Sequence, residues 1–350
     1  MSKIVVFGGV HIDILADYEE KNQARLDRVG ELYYSIGGTA YNIAQTLASH
    51  KQDVTLYSVL SANSFSTVWI KREVANTDIK AEFQMDNSVY AENGFVALRQ
   101  NGILEHAVTS SSLSRVQLDT KQIISICKNK TLAVIDSNFE SHQMMSIVKH
   151  CKNAGLKIIV AATSDSKVKR ILPVLEHYSI DVMVMNSIEA KVFFNKSCVE
   201  EITPEDIPQN IKSLIITLAS EGHYVFEDGR RIHFKAPYVA DVLSTSGAGD
   251  ALTASVAHHL SQNRSSDWSE CNKVICEYVG ECLTQKTTYL HPTKKKLPIK
   301  KLIIWGCVAT AIVMTILTCH LCRMHDVGMI LSIIGTILAF GQIFRGEMID

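Results

Sequence analysis

Ser244-Thr245-Ser246-Gly247-Ala248-Gly249-Asp250 reads as a compact glycine turn, and Ala251-Leu252-Thr253-Ala254-Ser255-Val256-Ala257 as the helix it opens. Gly247 and Gly249 let the backbone come close to a ligand. A turn at a helix N-terminus presents unpaired N–H groups and the positive end of the helix dipole to an anion. Asp250 stands at that position, where two readings apply. A carboxylate there caps the helix, or it takes a proton from a hydroxyl that then attacks a phosphate.

Upstream of the turn, short β-branched runs alternate with helix-like segments. Residues 132–135, 157–161, 181–185, 214–218, 223–226 and 231–234 read as strands, and 141–154 and 168–177 as helices. Such alternation predicts a mostly parallel sheet covered by helices. The N-terminal run 3–8 predicts another strand ending at Gly8-Gly9, with His11 and Asp13 in the loop beyond it. Ligands collect beyond the carboxyl ends of strands in open α/β sheets, so Asp13 is either a polyol-binding residue or an ordinary turn residue. Gly37-Gly38-Thr39-Ala40-Tyr41-Asn42 is a second glycine turn feeding a helix, with Asn42 placed to direct its amide at a hydroxyl. A strand is expected over 53–60. Residues 18–34 read as a polar, irregular excursion. The turn signals Asn93-Gly94 and Asn101-Gly102 predict short antiparallel strands at 89–91, 95–99 and 103–108. Together, 14–34 and 87–108 predict a small β lid that keeps water from a reacting phosphate.

Asn186 and Glu189 are three residues apart at a strand end, so they share one face of the next helical turn. They either start a helix or order waters around Mg2+ beside a phosphate. The Ser220-Glu221-Gly222 turn is equally open. There is no G-x-x-x-x-G-K-[ST] loop and no protein-kinase signature.

The 350-residue chain carries a net charge of -1, which excludes a nucleic-acid surface as its main feature. Its nine cysteines show no close metal-ligand spacing apart from Cys319 and Cys322, which end an apolar run. A reducing compartment is expected, and no apolar signal segment leads the chain. Residues 302–321 and 327–344 are apolar and long enough to cross a bilayer. They predict a transmembrane hairpin, with Gly328, Gly335 and Gly341 allowing close helix approach. Lys294, Lys295, Lys296, Lys300 and Lys301 precede it, in a basic linker over 291–301. They predict a two-span membrane protein whose first 290 residues and C-terminus are cytoplasmic.

Gly37-Gly38 with Asn42 and Ala44, Asn186 with Glu189, and Gly247-Ala248-Gly249-Asp250 occur in this order and at wide spacing. In these motifs the chain resembles the PfkB carbohydrate kinase family, the ribokinase-like fold, over about residues 1–290. Asp136-Ser137-Asn138 and Thr163-Ser164 with Lys167 are similar to pseudouridine kinases and their nucleoside and sugar kinase relatives. The resemblance implies an α/β three-layer sandwich and ATP-dependent phosphorylation of a sugar or nucleoside hydroxyl. Asp250 would be the base and Gly247, Ala248 and Gly249 the anion hole. Asp13, Gly38 and Asn42 would hold the substrate, Asn186, Ser220 and Gly222 the ATP side, and Asn186 and Glu189 the Mg2+ through water. Ser244 stands where the family has an Asp that helps organise a monovalent-cation loop, which weighs against potassium activation. A glycine- and acid-rich family segment is replaced around Ser58-Val59-Leu60-Ser61-Ala62-Asn63-Ser64-Phe65-Ser66, and the usual glycine after the late strand by Ala219. These departures support an alternative: a weak or inactive membrane-anchored domain that binds a nucleoside or sugar as a sensor or scaffold. Exposed lid strands also offer an edge for a homodimer.

Overall fold

The computed structural model describes residues 4–18, 29–87, 92–100, 103–262 and 267–285. The chain divides into two units, Met1–Pro292 and Thr293–Asp350, and the second lies outside the described residues. The strands are β1 (Ile4–Phe7), β2 (His11–Tyr18), β3 (Gly30–Gly37), β4 (Val54–Ser61), β5 (Lys80–Asp86), β6 (Gly94–Gln100), β7 (Ile103–Ser110), β8 (Leu132–Asp136), β9 (Lys157–Ala161), β10 (Ile180–Asn186), β11 (Ile211–Thr217), β12 (His223–Glu227) and β13 (Arg230–Phe234). The helices are α1 (Thr39–Ser49), α2 (Phe65–Ala75), α3 (Thr120–Cys127), α4 (Ser141–Asn153), α5 (Leu172–His177), α6 (Ser187–Phe194), α7 (Ala248–Ser261) and α8 (Trp268–Leu283).

The main sheet runs β13-β12-β11-β10-β9-β8-β1-β4-β5. From β11 to β5 neighbouring strands are parallel, while β12 and β13 fold back antiparallel. Strand alternation divides its apolar residues between two cores. Ile4 and Val6 of β1 face α1, α2, α7 and α8, whereas Val5 and Phe7 face α3, α4, α5 and α6. Both faces are covered, which is why β1, β4 and β8 are buried along their whole length.

A second sheet, β3-β2-β6-β7, stands apart from the first. Here the sequence pattern needs correcting. His11 and Asp13 lie inside β2 rather than in a loop. The expected excursion over 18–34 ends in the regular strand β3, whose outer half is exposed. Its Glu-Leu-Tyr-Tyr-Ser pattern has no buried face there to impose a clean polar–apolar alternation. β6 pairs parallel with β2, not as a hairpin through Asn93-Gly94. The strand expected at 89–91 lies outside the described residues. Tyr34 meets Trp69 of α2, ring centroids 6.0 Å apart, where the second sheet touches a helix that covers the main sheet.

The transmembrane hairpin is also corrected. Among the described residues no helix is long and apolar enough to cross a membrane. The longest described helix, α8, has 16 residues, about 24 Å at 1.5 Å per residue against about 30 Å of hydrocarbon. It carries Glu270, Lys273, Glu277 and Glu281 on its outer side. Residues 302–321 and 327–344 lie outside the described residues. The bilayer as a partner and the two-span localisation thus have no support among the described residues.

Candidate active site

A cavity of about 250 Å³ opens at the carboxyl ends of β9 and β10. Gly247, Gly249, Asp250 and Thr253 line it from the start of α7, Asn186 and Glu189 from the start of α6, and Thr39 and Thr163 from α1 and the β9 end. Four chain segments thus converge on one space.

The α7 start is held open. Gly247 is its N-cap, with φ 86° and ψ -5°, and no side chain caps the helix. A residue with a Cβ would be strained in this left-handed conformation. The first-turn N–H groups therefore have no side-chain oxygen closing them off. Asp250 lies in that turn and receives a 2.7 Å hydrogen bond from Asn42 Nδ2 of α1. Burial pushes the Asp250 carboxyl up from the ordinary 3.8 to about 7. The Asn42 bond opposes the shift, and the charges of Asp136, Glu189 and Asp13 add to it.

Asn42 reaches Asp250 because α1 starts in close quarters. Gly38, its N-cap, has φ 104°, and a Cβ there would overlap the Gly9 carbonyl oxygen. Gly9 is fixed in turn by its N–H, which donates to Asp136 Oδ2 at 2.8 Å. Asp136, wholly buried, also accepts from Asn138 N at 2.9 Å and Asn138 Nδ2 at 3.0 Å. Burial raises its carboxyl above the usual range, offset by these hydrogen bonds and by Lys167. Asp13 is buried against Gly37, and His11 Nδ1 lies 2.7 Å from its Oδ1. The chain Asp136–Gly9–Gly38–Asn42–Asp250 therefore links the sheet to the acid through close contacts.

The α6 start is closed. Asn186 Oδ1 accepts from the N–H groups of Ile188 and Glu189, both at 2.9 Å, and Asn186 N donates to Glu189 Oε2 at 2.8 Å. This reciprocal capping box consumes the donors that α7 leaves open. Glu189 is buried rather than solvated, and burial raises its carboxyl, with the Asn186 N–H opposing and Asp165 adding.

Ser220 and Gly222 do not line this cavity. They lie in the turn between β11 and β12, one strand beyond Asn186, with Thr217 abreast of Asn186. Ser220 is exposed. Ser244 Oγ accepts from Ser246 N at 3.2 Å, a local turn contact. In the serine-rich segment, Ser64 caps α2 through Thr67 N at 3.2 Å. Ser66 Oγ accepts from Asn93 N at 3.0 Å, and Glu92 accepts from Phe65 N and Ser66 N. Buried Asn93 also accepts from Ser112 N and Ile12 N, tying the base of the second sheet to α2.

Sequence reasoning did not single out Asp136, Thr39, Thr163 or Thr253 as site residues. Thr253 had a signal, since it lies three residues after Asp250 on the same helix face. Asp136 had a weaker one, as an acid ending a parallel strand. Thr163 was marked only by the resemblance of its segment to pseudouridine kinases, and nothing short of the fold marks Thr39.

The chain is 24% identical over 280 residues to the ribokinase of Lactococcus lactis, covering 76% of this chain and 86% of the relative. Its fold is similar to a carbohydrate kinase from Agrobacterium tumefaciens, at 16% identity and TM-score 0.69, covering 84% of this chain and 95% of that one. It is also similar to Arabidopsis thaliana ribokinase complexed with ribose and ATP, at 17% identity and TM-score 0.66, covering 84% and 97%. The profile of the pfkB family carbohydrate kinases matches residues 1–287, most of the chain's length, and the protein belongs to that family.

Proposed function

We propose that this kinase transfers the γ-phosphoryl group of ATP to a hydroxyl of a sugar or nucleoside, with Asp250 as the base. The observation that carries this reading is the Asn42–Asp250 hydrogen bond at the uncapped start of α7. It directs a carboxylate with a value near 7 into a cavity whose wall is a helix N-terminus. A base works best when its value lies near the working pH.

Each residue then has a task. Asp250 accepts the proton from the substrate hydroxyl at a carboxylate oxygen, while Asn42 keeps that carboxylate aimed. Gly247, Ala248 and Gly249 offer backbone N–H groups and the positive helix end to the charge on the moving phosphoryl group. Asp13 and Gly38 border the substrate, Asp13 as acceptor for hydroxyls and Gly38 by letting the backbone approach. Ser220 and Gly222 belong to the ATP side, in the next turn along the sheet edge.

A divalent metal fits the donor set, because Glu189 lines the cavity and a carboxylate suits a hard cation. Glu189 would hold Mg2+ through water, and Asn186 would fix the rotamer of Glu189. Bound there, Mg2+ offsets negative charge on the phosphate oxygens. The likeness to ribokinases places ribose first among substrates to try. Purified full-length protein should be assayed for ADP release with ATP, Mg2+ and each of ribose, fructose, adenosine and pseudouridine. Release dependent on one of them is expected. Binding of a sugar or nucleoside with no ADP release would overturn the catalytic reading.

A further inference from the structure

On the α1–α8 side of the molecule, away from the cavity, a histidine and two glutamates converge. His50 follows the last turn of α1, and Glu277 and Glu281 lie four residues apart on α8. Their ligand atoms, one from each side chain, all lie within 4.8 Å of one another. The histidine is oriented from two sides. Its Nδ1 meets the Thr46 carbonyl oxygen at 2.9 Å, and its ring stacks on Tyr278 with centroids 3.5 Å apart. Tyr278 is itself held by His258, its hydroxyl 2.6 Å from His258 Nδ1.

A carbonyl can only accept, so Nδ1 carries the proton of that contact. In the neutral ring this leaves a lone pair on Nε2. Nε2 is enclosed, no hydrogen bond reaches it, and it faces Glu281 Oε2 at 3.3 Å. Two acceptors facing each other repel unless a cation lies between them. Two ligands each about 2.0–2.1 Å from one zinc ion stand about 3.3 Å apart across a tetrahedral edge. A backbone carbonyl on the second ring nitrogen is also the usual support of a metal-bound histidine.

We propose that His50, Glu277 and Glu281 form a binding site for a divalent transition-metal ion of the zinc type, with water completing the coordination. Such an ion would fasten the C-terminal end of α1 to α8. The opposite end of α1 carries Gly38 and Asn42, so the site braces the helix that holds Asp250.

The test is zinc titration of the chelator-treated full-length protein by calorimetry, beside the variants Glu277→Gln/Glu281→Gln and Asp250→Asn. Both glutamates are exposed, so their replacement leaves the fold intact. Wild type and Asp250→Asn should each take up the same equivalent of zinc, and the double variant should lose it. Zinc at a hundredfold over its dissociation constant should raise the melting temperature of wild type by about 5 °C, and that of the double variant should stay unchanged. Equal uptake by the double variant, or no uptake by wild type, would overturn the proposal. A proton in place of the metal gives the second of these results.

Discussion

Two helices begin at the same cavity with an acidic residue in their first turn, and they differ in what becomes of their N–H groups. At α6, Asn186 and Glu189 form a reciprocal capping box, so the donors are satisfied within the chain. At α7, Gly247 supplies a left-handed backbone and no side-chain acceptor, and Asp250 is held by Asn42 from another helix. The first arrangement is complete by itself. The second leaves both its donors and its acid directed at whatever enters the cavity. An acid three or four residues past a strand or turn is thus not one feature but two, distinguished by whether the local chain closes it.

The comparison breaks or holds on substitution. Asp250→Asn should lower kcat by about a thousandfold with little change in the KM for ATP, read by steady-state kinetics; unchanged turnover would remove Asp250 as base. The same variant has a stability signature. Between the ordinary carboxylate value and about 7, the folded chain retains a proton that the unfolded chain has lost. Stability contributed by the protonated form is therefore lost as pH rises through that window. Melting curves at pH 5 and pH 8 should show Asp250→Asn gaining on wild type at the higher pH.

Asn42→Ala removes the hydrogen bond that favours the charged carboxylate, so the value of Asp250 should rise further. The rate should fall about tenfold at neutral pH and recover towards alkaline pH, which a pH–rate profile would display. A flat loss at every pH would instead make Asn42 a substrate contact alone. The smallest effect belongs to the closed helix. Asn186→Ala should cost about 1 kcal/mol of stability, read by denaturant titration, with kcat changed only a few-fold. A collapse of kcat as deep as that of Asp250→Asn would show that the two helix starts share the chemistry equally.

Much of the fold was legible because its signals are local. The parallel strands are short β-branched runs buried on both faces, and β9 spans 157–161 as the run predicted. The second sheet was harder to read. β2 and β6 are neighbours about eighty residues apart in sequence, and no local pattern encodes their parallel pairing. Asn93 shows the same difficulty: beside Gly94 it carries a turn signal, yet it is a buried junction between two sheets' connections. At the site, Asp250, Asn186 and Glu189 were each visible as residues with two readings, and Asn42 as an amide directed at a hydroxyl. Only the fold brings Asp250 within 2.7 Å of Asn42, 208 positions earlier, and shows that Asn186 and Glu189 satisfy each other. Asp136 stands in a segment that resembles pseudouridine kinases, but its role at the site depends on the backbone N–H of Gly9, which no sequence pattern marks.

The contact between Tyr34 and Trp69 has an optical consequence. It joins a strand of the second sheet to a helix of the first, so displacement of one against the other changes the surroundings of an indole ring. Trp268 is buried in the core of α8 and supplies a steady background. The emission of Trp69 thus reports, without any attached dye, whether the second sheet keeps its contact with α2.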